Sequence, residues 1–196
     1  MNVVVVQTGT ANTASVLAAL RRAGAEPELS QVPDTVARAG HVVLPGVGAF
    51  AAARGALSSQ LAKSLIDRLA ADKPTLGICL GLQLLLQSSE ESPNVEGLGI
   101  VPGRATRFSN NVRVPQLGWN QVTVDAECST LSTGYAYFAN SYRLVDRPDG
   151  WSCGITEHDG SFVSALERGN VVACQFHPEL SGRWGHELIT RWLETC

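Results

Sequence analysis

Hydrophobic positions fall along this chain in two textures. Val3-Val4-Val5-Val6 is an unbroken apolar run, which suits a strand covered on both faces rather than the alternation of a half-exposed one. Thr8-Gly9-Thr10 reads as a turn, and a helix follows around Ser15 to Arg22, ending at Gly24. The order recurs: His41-Val42-Val43-Leu44 is a strand before the loop Pro45-Gly46-Val47-Gly48, and a helix around Leu61 to Ala71 leads to the buried strand Thr75-Leu76-Gly77-Ile78. Leu82-Gln83-Leu84-Leu85-Leu86 opens another helix. Strands alternating with helices imply a parallel sheet. From Ile100 to Leu166 the texture changes to short β-prone pieces, such as Gln121-Val122-Thr123-Val124 and Tyr135-Ala136-Tyr137-Phe138, separated by turn residues. That stretch reads as antiparallel β. Val171 to Phe176 is a last strand, and Gly185 to Leu193 a closing amphipathic helix. The expected class is therefore α/β: a doubly wound, mainly parallel central sheet flanked by helices, with antiparallel β added in the second half. Residues 1–196 are expected to form a single domain.

In such sheets ligands bind beyond the carboxyl ends of the strands. Gly46 to Gly48, Cys79 and His177 all follow expected strands, so they converge at one edge. Cys79 stands in Gly77-Ile78-Cys79-Leu80-Gly81, on a sharp turn from strand to helix. Small neighbours permit a strained turn, and the helix N-terminus beyond it favours thiolate over thiol. Near the other end stands His177-Pro178-Glu179, where Pro178 biases His177 toward extended backbone. Extension would place Glu179 beside His177, where a carboxylate fixes the imidazole's tautomer and orientation. A lone buried cysteine is ordinarily an inert packing group. Its pairing with a distant His-Pro-Glu makes Cys79, His177 and Glu179 a candidate nucleophile, base and orienter.

The glycine loop Gly46-Val47-Gly48-Ala49-Phe50-Ala51 formally matches a dinucleotide fingerprint. It follows a later strand rather than the first, Pro45 enters it, and the next strand ends in Cys79 instead of a ribose-binding acid. No cofactor is expected. The other use of the loop is an oxyanion hole, with a Val47 or Gly48 N–H and the Leu80 N–H as donors; a plain turn is the structural alternative.

Composition narrows the surroundings. The 196 residues are 44% hydrophobic, with 15 basic and 18 acidic side chains and a net charge of −3. The absence of any basic run argues against a nucleic-acid partner. No apolar stretch approaches a membrane span or an export signal, and a cytoplasmic location is expected. Cys79, Cys128, Cys153, Cys174 and Cys196 are odd in number and never form a C-x-x-C pair, which fits reduced thiols rather than a disulfide framework or a metal site. His41, His158 and His186 are expected to be structural or solvated.

The elbow and the His-Pro-Glu resemble those of the class I glutamine amidotransferases. Thr8-Gly9 through Asn12 with Ser15-Val16, Leu44 to Gly48, Gly77 to Gly81 with Gln83-Leu84-Leu85, Pro115 with Gly118-Trp119-Asn120, and Phe176 to Glu179 are similar to the glutaminase subunits of imidazole glycerol phosphate synthase. That resemblance implies hydrolysis of glutamine to glutamate and ammonia through a thioester on Cys79. Ammonia would pass to a separate (β/α)8-barrel cyclase subunit, in a heterodimer that makes imidazole glycerol phosphate and aminoimidazole carboxamide ribotide for histidine biosynthesis. It further implies that Gly46, Gln83, Glu91 and the Ser141-Tyr142 backbone hold glutamine, and that Gln116, Trp119, Asn120 and Leu180 face the cyclase. Three positions depart from the family pattern: Gln116 and Asn140 stand where histidine is usual, and Leu180 where a basic residue is usual. These leave room for two other readings, a related glutaminase serving a different synthase and a catalytically silent stabilising partner.

Overall fold

The valine run forms the inner strand β1 (Asn2–Val6) of a parallel block, and its side chains divide between the two faces. Val4 and Val6 enter one apolar cluster, whereas Val3 and Val5 enter another on the opposite side of the sheet. The unbroken run is thus explained by cover on both faces. A computed structural model describes residues 1–9 and 13–195; Thr10 of the expected turn, Asn12 and Cys196 lie outside the described residues.

After β1 come α1 (Thr13–Arg22), β2 (Glu26–Ser30), α2 (Pro33–Arg38), β3 (His41–Leu44), α3 (Phe50–Ala56), α4 (Ser59–Ala70), β4 (Thr75–Ile78), α5 (Leu80–Leu85), β5 (Leu86–Ser89) and β6 (Val101–Arg107). The second half holds β7 (Gln116–Val124), β8 (Gly134–Asn140), β9 (Tyr142–Leu144), β10 (Ser152–Glu157), β11 (Ser161–Arg168), β12 (Val171–Cys174), a 3₁₀ turn at Pro178–Leu180 and α6 (Gly182–Leu193). The sheet runs β2-β1-β3-β4-β12-β11-β10-β7-β8, with β5, β6 and β9 joined at its flank. Strands β2, β1, β3, β4 and β12 are mutually parallel, and pairing becomes antiparallel from β11 onward. This is the expected α/β class, with the antiparallel half continuing the same sheet. Helices α1 and α6 cover one face, and α2 to α5 the other.

Several elements escaped the sequence reading. Strand β2 carries Pro27 and two glutamates, and it survives because it is an edge strand that pairs only with β1. Helices α2 and α3 are only 6 and 7 residues long, too short for a clear apolar period. Leu86, read as helical, instead starts β5, because α5 stops after 6 residues.

Among the described residues no helix is long and apolar enough to cross a membrane. One buried charge organises the α2, α4 and β4 junction. Arg68 is 2% exposed and donates to the carbonyls of Val36, Ala39, Gly40 and Pro74 and to the Thr75 hydroxyl. It thereby serves carbonyls beyond the end of α2 that no helix bond reaches. Burial lowers its pKa to about 10.

Candidate active site

Strand β12 lies beside β4 in parallel register, Ala173 opposite Gly77 and Cys174 opposite Ile78. The Cys79 N–H continues that ladder, donating to the Cys174 carbonyl at 2.7 Å. The candidate nucleophile and base are therefore carried off neighbouring strand ends, although 98 positions separate them in sequence. Cys79 has φ 53° and ψ −106°, left-handed backbone that a residue with a Cβ adopts only under strain. Close packing demands the glycines around it: a Cβ on Gly81 would lie 1.9 Å from the Leu44 carbonyl oxygen, and one on Gly46 2.7 Å from Leu80 Cβ.

His177 is extended, as expected, with φ −106° and ψ 94°. Glu179 reaches it differently from the expectation. Pro178 opens a 3₁₀ turn, a position its fixed φ favours, and that turn rather than strand alternation folds Glu179 back onto the imidazole. Glu179 Oε1 lies 2.9 Å from His177 Nδ1, with both side chains almost wholly buried. Burial opposes the imidazolium, but hydrogen bonds to Cys79 and Glu179 outweigh it and raise the His177 pKa to about 10. The backbone is pinned as well. His177 N–H donates to the Tyr137 carbonyl at 2.9 Å, and the Ser181 hydroxyl donates to the His177 carbonyl at 2.6 Å while accepting from Tyr137 N–H.

A cavity of about 270 Å³ opens over this pair, lined by Val47, Gly48, Cys79, Leu80, Gln83, Glu91, Asn140, Ser141, Tyr142 and His177, among others. Its size suits a single amino acid better than a large cofactor. Gln83 is not on a solvated helix face: it is buried, and its Nε2 donates to Gln175 Oε1 at 2.9 Å. Glu91 is not a free loop charge either, since its Oε2 accepts the Phe50 N–H at 2.7 Å, at the start of α3. The loop donors are not ready for an oxyanion. Leu80 N–H is given to the Gly46 carbonyl at 3.3 Å, and because a trans peptide points C=O and N–H in opposite directions, the Val47 N–H faces away. Gly48, at φ 93°, holds the turn that follows.

The expected partner-facing residues separate. In β7 the alternation leaves Leu117 and Trp119 exposed, at 55% and 58%, and Tyr135 of β8 is 60% exposed. Leu180, on the 3₁₀ turn, is also exposed, and the Trp119 ring lies beside Gly182. Gln116 is a correction: it lies one residue out of phase with that exposed face and is buried. Asn120 shares its parity and is half-buried, donating from Nδ2 to the Glu157 carbonyl. Gln116 stands directly across from Asn140, so two of the three departures from the family pattern form one cross-strand pair. Neither Gln116 side-chain polar atom, nor Asn140 Oδ1, has a partner among the described residues.

Sequence reasoning missed Gln175, Tyr137 and Ser181. The signal for Gln175 was available as one polar residue closing an apolar run. Tyr137 and Ser181 act through backbone groups or one hydroxyl and leave no such trace.

The model of the family described as glutamine amidotransferase class-I matches residues 4–195. The chain is 41% identical over 193 residues to the imidazole glycerol phosphate synthase hisHF, chloroplastic, of Arabidopsis thaliana, covering 94% of this chain and 33% of that protein. It thus spans about a third of the length of that relative. It is 39% identical over 204 residues to the imidazole glycerol phosphate synthase subunit HisH of Natronomonas pharaonis, covering 99% of this chain and 94% of the other. Among solved structures, one titled crystal structure of glutamine amidotransferase superposes with a TM-score of 0.78 over 97% of both chains at 18% identity, which is a likeness of fold. The chain belongs to the class I glutamine amidotransferases and, within them, to the glutaminase subunits of imidazole glycerol phosphate synthase.

Proposed function

We propose that the chain hydrolyses glutamine to glutamate and ammonia at Cys79 and passes the ammonia to a separate (β/α)8-barrel cyclase subunit, which builds imidazole glycerol phosphate and aminoimidazole carboxamide ribotide in histidine biosynthesis. The observation that carries this reading is that Cys79 and His177, the latter backed by buried Glu179, stand at the wall of an amino-acid-sized cavity that Gln83 and Glu91 also line.

Cys79 Sγ attacks the side-chain amide carbon of glutamine while His177 holds the proton as imidazolium. Collapse of the tetrahedral species breaks the C–N bond, and His177 Nε2 gives its proton to the departing nitrogen, so ammonia leaves and a thioester remains. The neutral imidazole then takes a proton from water, whose oxygen attacks the thioester. Cleavage of the C–S bond returns the sulfur to Cys79 and releases glutamate. Glu179 keeps Nδ1 protonated and the ring oriented throughout. Gln83, Glu91 and the Ser141-Tyr142 backbone hold the amino acid end of the substrate. The oxyanion requires the Leu80 N–H that now serves the Gly46 carbonyl. Rotation of the single Gly46–Val47 peptide releases that donor and turns the Val47 N–H into the site, so one movement supplies both donors. Removal of one such donor typically costs roughly 100- to 1000-fold, and the resting chain is accordingly a slow glutaminase. The exposed Leu117, Trp119, Tyr135 and Leu180 form the face for the cyclase, as aromatic anchors suit an interface core.

The test is glutamate release from glutamine by wild type and Cys79→Ala, each alone and with the cyclase subunit and its nucleotide substrate. Release that requires both Cys79 and the cyclase supports the proposal. No release in any mixture overturns it, and release driven only by a different synthase reassigns the consumer.

A further inference from the structure

Gln175 ends the apolar run Val171-Val172-Ala173-Cys174 and is completely buried. A carboxamide withdrawn from water is costly unless its polar atoms are used, and leucine or methionine would fill the same space without that cost. Both ends of this one are used. Oε1 accepts from Gln83 Nε2 at 2.9 Å, and Nε2 donates to Cys79 Sγ at 3.5 Å. With Gln83 Nε2 as the donor, Gln175 Oε1 is the acceptor, and the Nε2–H end of the same carboxamide faces the sulfur. The main chain is anchored independently, Gln175 N–H donating to the Ser164 carbonyl at 2.8 Å. Sulfur is a poor acceptor as a thiol and a much better one as a thiolate, so a donor in this place favours the nucleophilic form. His177 bonds to the same sulfur and Gln83 lines the cavity.

We propose that Gln175 is a positioning residue for the nucleophile: its buried Nε2–H holds the Cys79 sulfur in its charged, reactive form, and Gln83 keeps that donor aimed by gripping its oxygen. This rests on Cys79 being the nucleophile of the proposed reaction. It adds a second group at the sulfur beside His177, and it gives Gln83 a second task besides holding substrate.

Alkylation of the full-length chain by iodoacetamide, followed site by site through peptide mass spectrometry, reads the sulfur directly and needs neither glutamine nor the cyclase. Two other thiols interfere little, because burial pushes Cys128 up to about 12 and Cys174 well above its ordinary value. Gln175→Met keeps the volume and removes the donor. Loss of a hydrogen bond to a charged partner slows Cys79 alkylation near neutral pH about tenfold. Above about pH 10, where free thiols ionise without help, the variant should recover to within about twofold of wild type. The midpoint of its alkylation profile therefore moves to higher pH. Gln83→Met, which frees the Gln175 carboxamide to turn, is expected to slow alkylation by about threefold and to add nothing on top of Gln175→Met. Slowing that is equal at every pH, additive effects of the two variants, or an unchanged rate would each overturn the proposal. If Gln175→Met does not fold, Gln83→Met alone decides it, by a slowing confined to neutral pH or by its absence. Loss of glutamate release in Cys79→Ala tests the parent reading separately, so a failure here leaves that one standing.

Discussion

Exchange of Glu179 for glutamine isolates one charge in the candidate triad. The carboxylate touches His177 Nδ1 through Oε1 at 2.9 Å, while Oε2 has no partner among the described residues. A glutamine can therefore keep the accepting oxygen where it is and put its amide where nothing is displaced. Only the charge is lost. A hydrogen bond to a charged group contributes about 1.5–3 kcal/mol against about 1 kcal/mol for a neutral one, so the imidazolium loses roughly 0.5–2 kcal/mol of support. That corresponds to a rate lower by about 2- to 30-fold. The alkaline limb of the pH–rate profile, where the imidazolium is lost, should move down by roughly 0.4–1.5 units, since Glu179 is one of the groups holding the His177 pKa above its ordinary value. Glu179 does not line the cavity, so the loss should appear in kcat and not in KM. The assay is glutamate release with the cyclase and its nucleotide substrate saturating, between pH 6 and 10, with the thermal midpoint as a folding control. An unchanged alkaline limb, or a loss carried wholly by KM, would refute the assignment of Glu179 as orienter.

Gly81→Ala drives a Cβ to within 1.9 Å of the Leu44 carbonyl oxygen, and prying α5 from β3 should cost about 3 kcal/mol. At roughly 2–4 °C per kcal/mol, the thermal midpoint should fall by about 6–12 °C; a wild-type midpoint would mean that the packing is looser than described. Arg68→Met strands the backbone carbonyls of Val36, Ala39 and Gly40, while Pro74 keeps the Val42 N–H, and should lower the midpoint by a similar amount by calorimetry, about 1 kcal/mol or more for each buried acceptor left unmade. His41, packed edge-on against Trp192, has its pKa lowered by burial, so the folded chain resists a proton that the unfolded chain accepts. The stability contributed by neutral His41 should be full above about pH 6.5 and decline as pH falls below it, and His41→Gln should flatten that part of the slope in thermal melts from pH 7 to 5. Trp119→Ala should weaken cyclase binding at least about tenfold by calorimetric titration while leaving the midpoint of the isolated chain nearly unchanged, because the ring is 58% exposed; binding within a factor of two would remove it from the interface.

What could be read from the sequence was whatever is local. The valine run, the loop after β3, the elbow and the His-Pro-Glu each fit within ten residues, and period and glycine placement speak at that range. Burial partners across the sheet do not. Arg68 looks like a helix-surface cation and is instead locked under α2, because its partners are backbone carbonyls that carry no sequence signature. The family resemblance put Gln116 on the partner-facing side, yet a strand alternates, and the side facing out is that of Leu117 and Trp119. The juxtaposition of Cys79 with His177 depended on β12 entering the sheet next to β4, which no period in either segment specifies. For Glu179 the right contact was expected for the wrong local reason, a 3₁₀ turn having replaced an extended strand.

The arrangement also decides which part of the site can change state. Cys79 is tied to β12 through the Cys174 carbonyl, and His177 to β8 through the Tyr137 carbonyl and Ser181. Moving either would break buried ladder bonds, which cost their full desolvation when left unmade. The Gly46–Val47 peptide has no such tie: its carbonyl makes one bond, at 3.3 Å, and glycine on its amino side tolerates either orientation. Cys79 and His177 are thus held in place while one 3.3 Å bond occupies the Leu80 N–H that the proposed mechanism needs. A partner acting on this site has little to gain by shifting the triad. On the proposed mechanism it needs only to favour the other orientation of one peptide, and the β7–β8 hairpin, which carries Trp119 on its outer face and pins His177 through Tyr137, places the proposed docking surface one strand pair away from the candidate site.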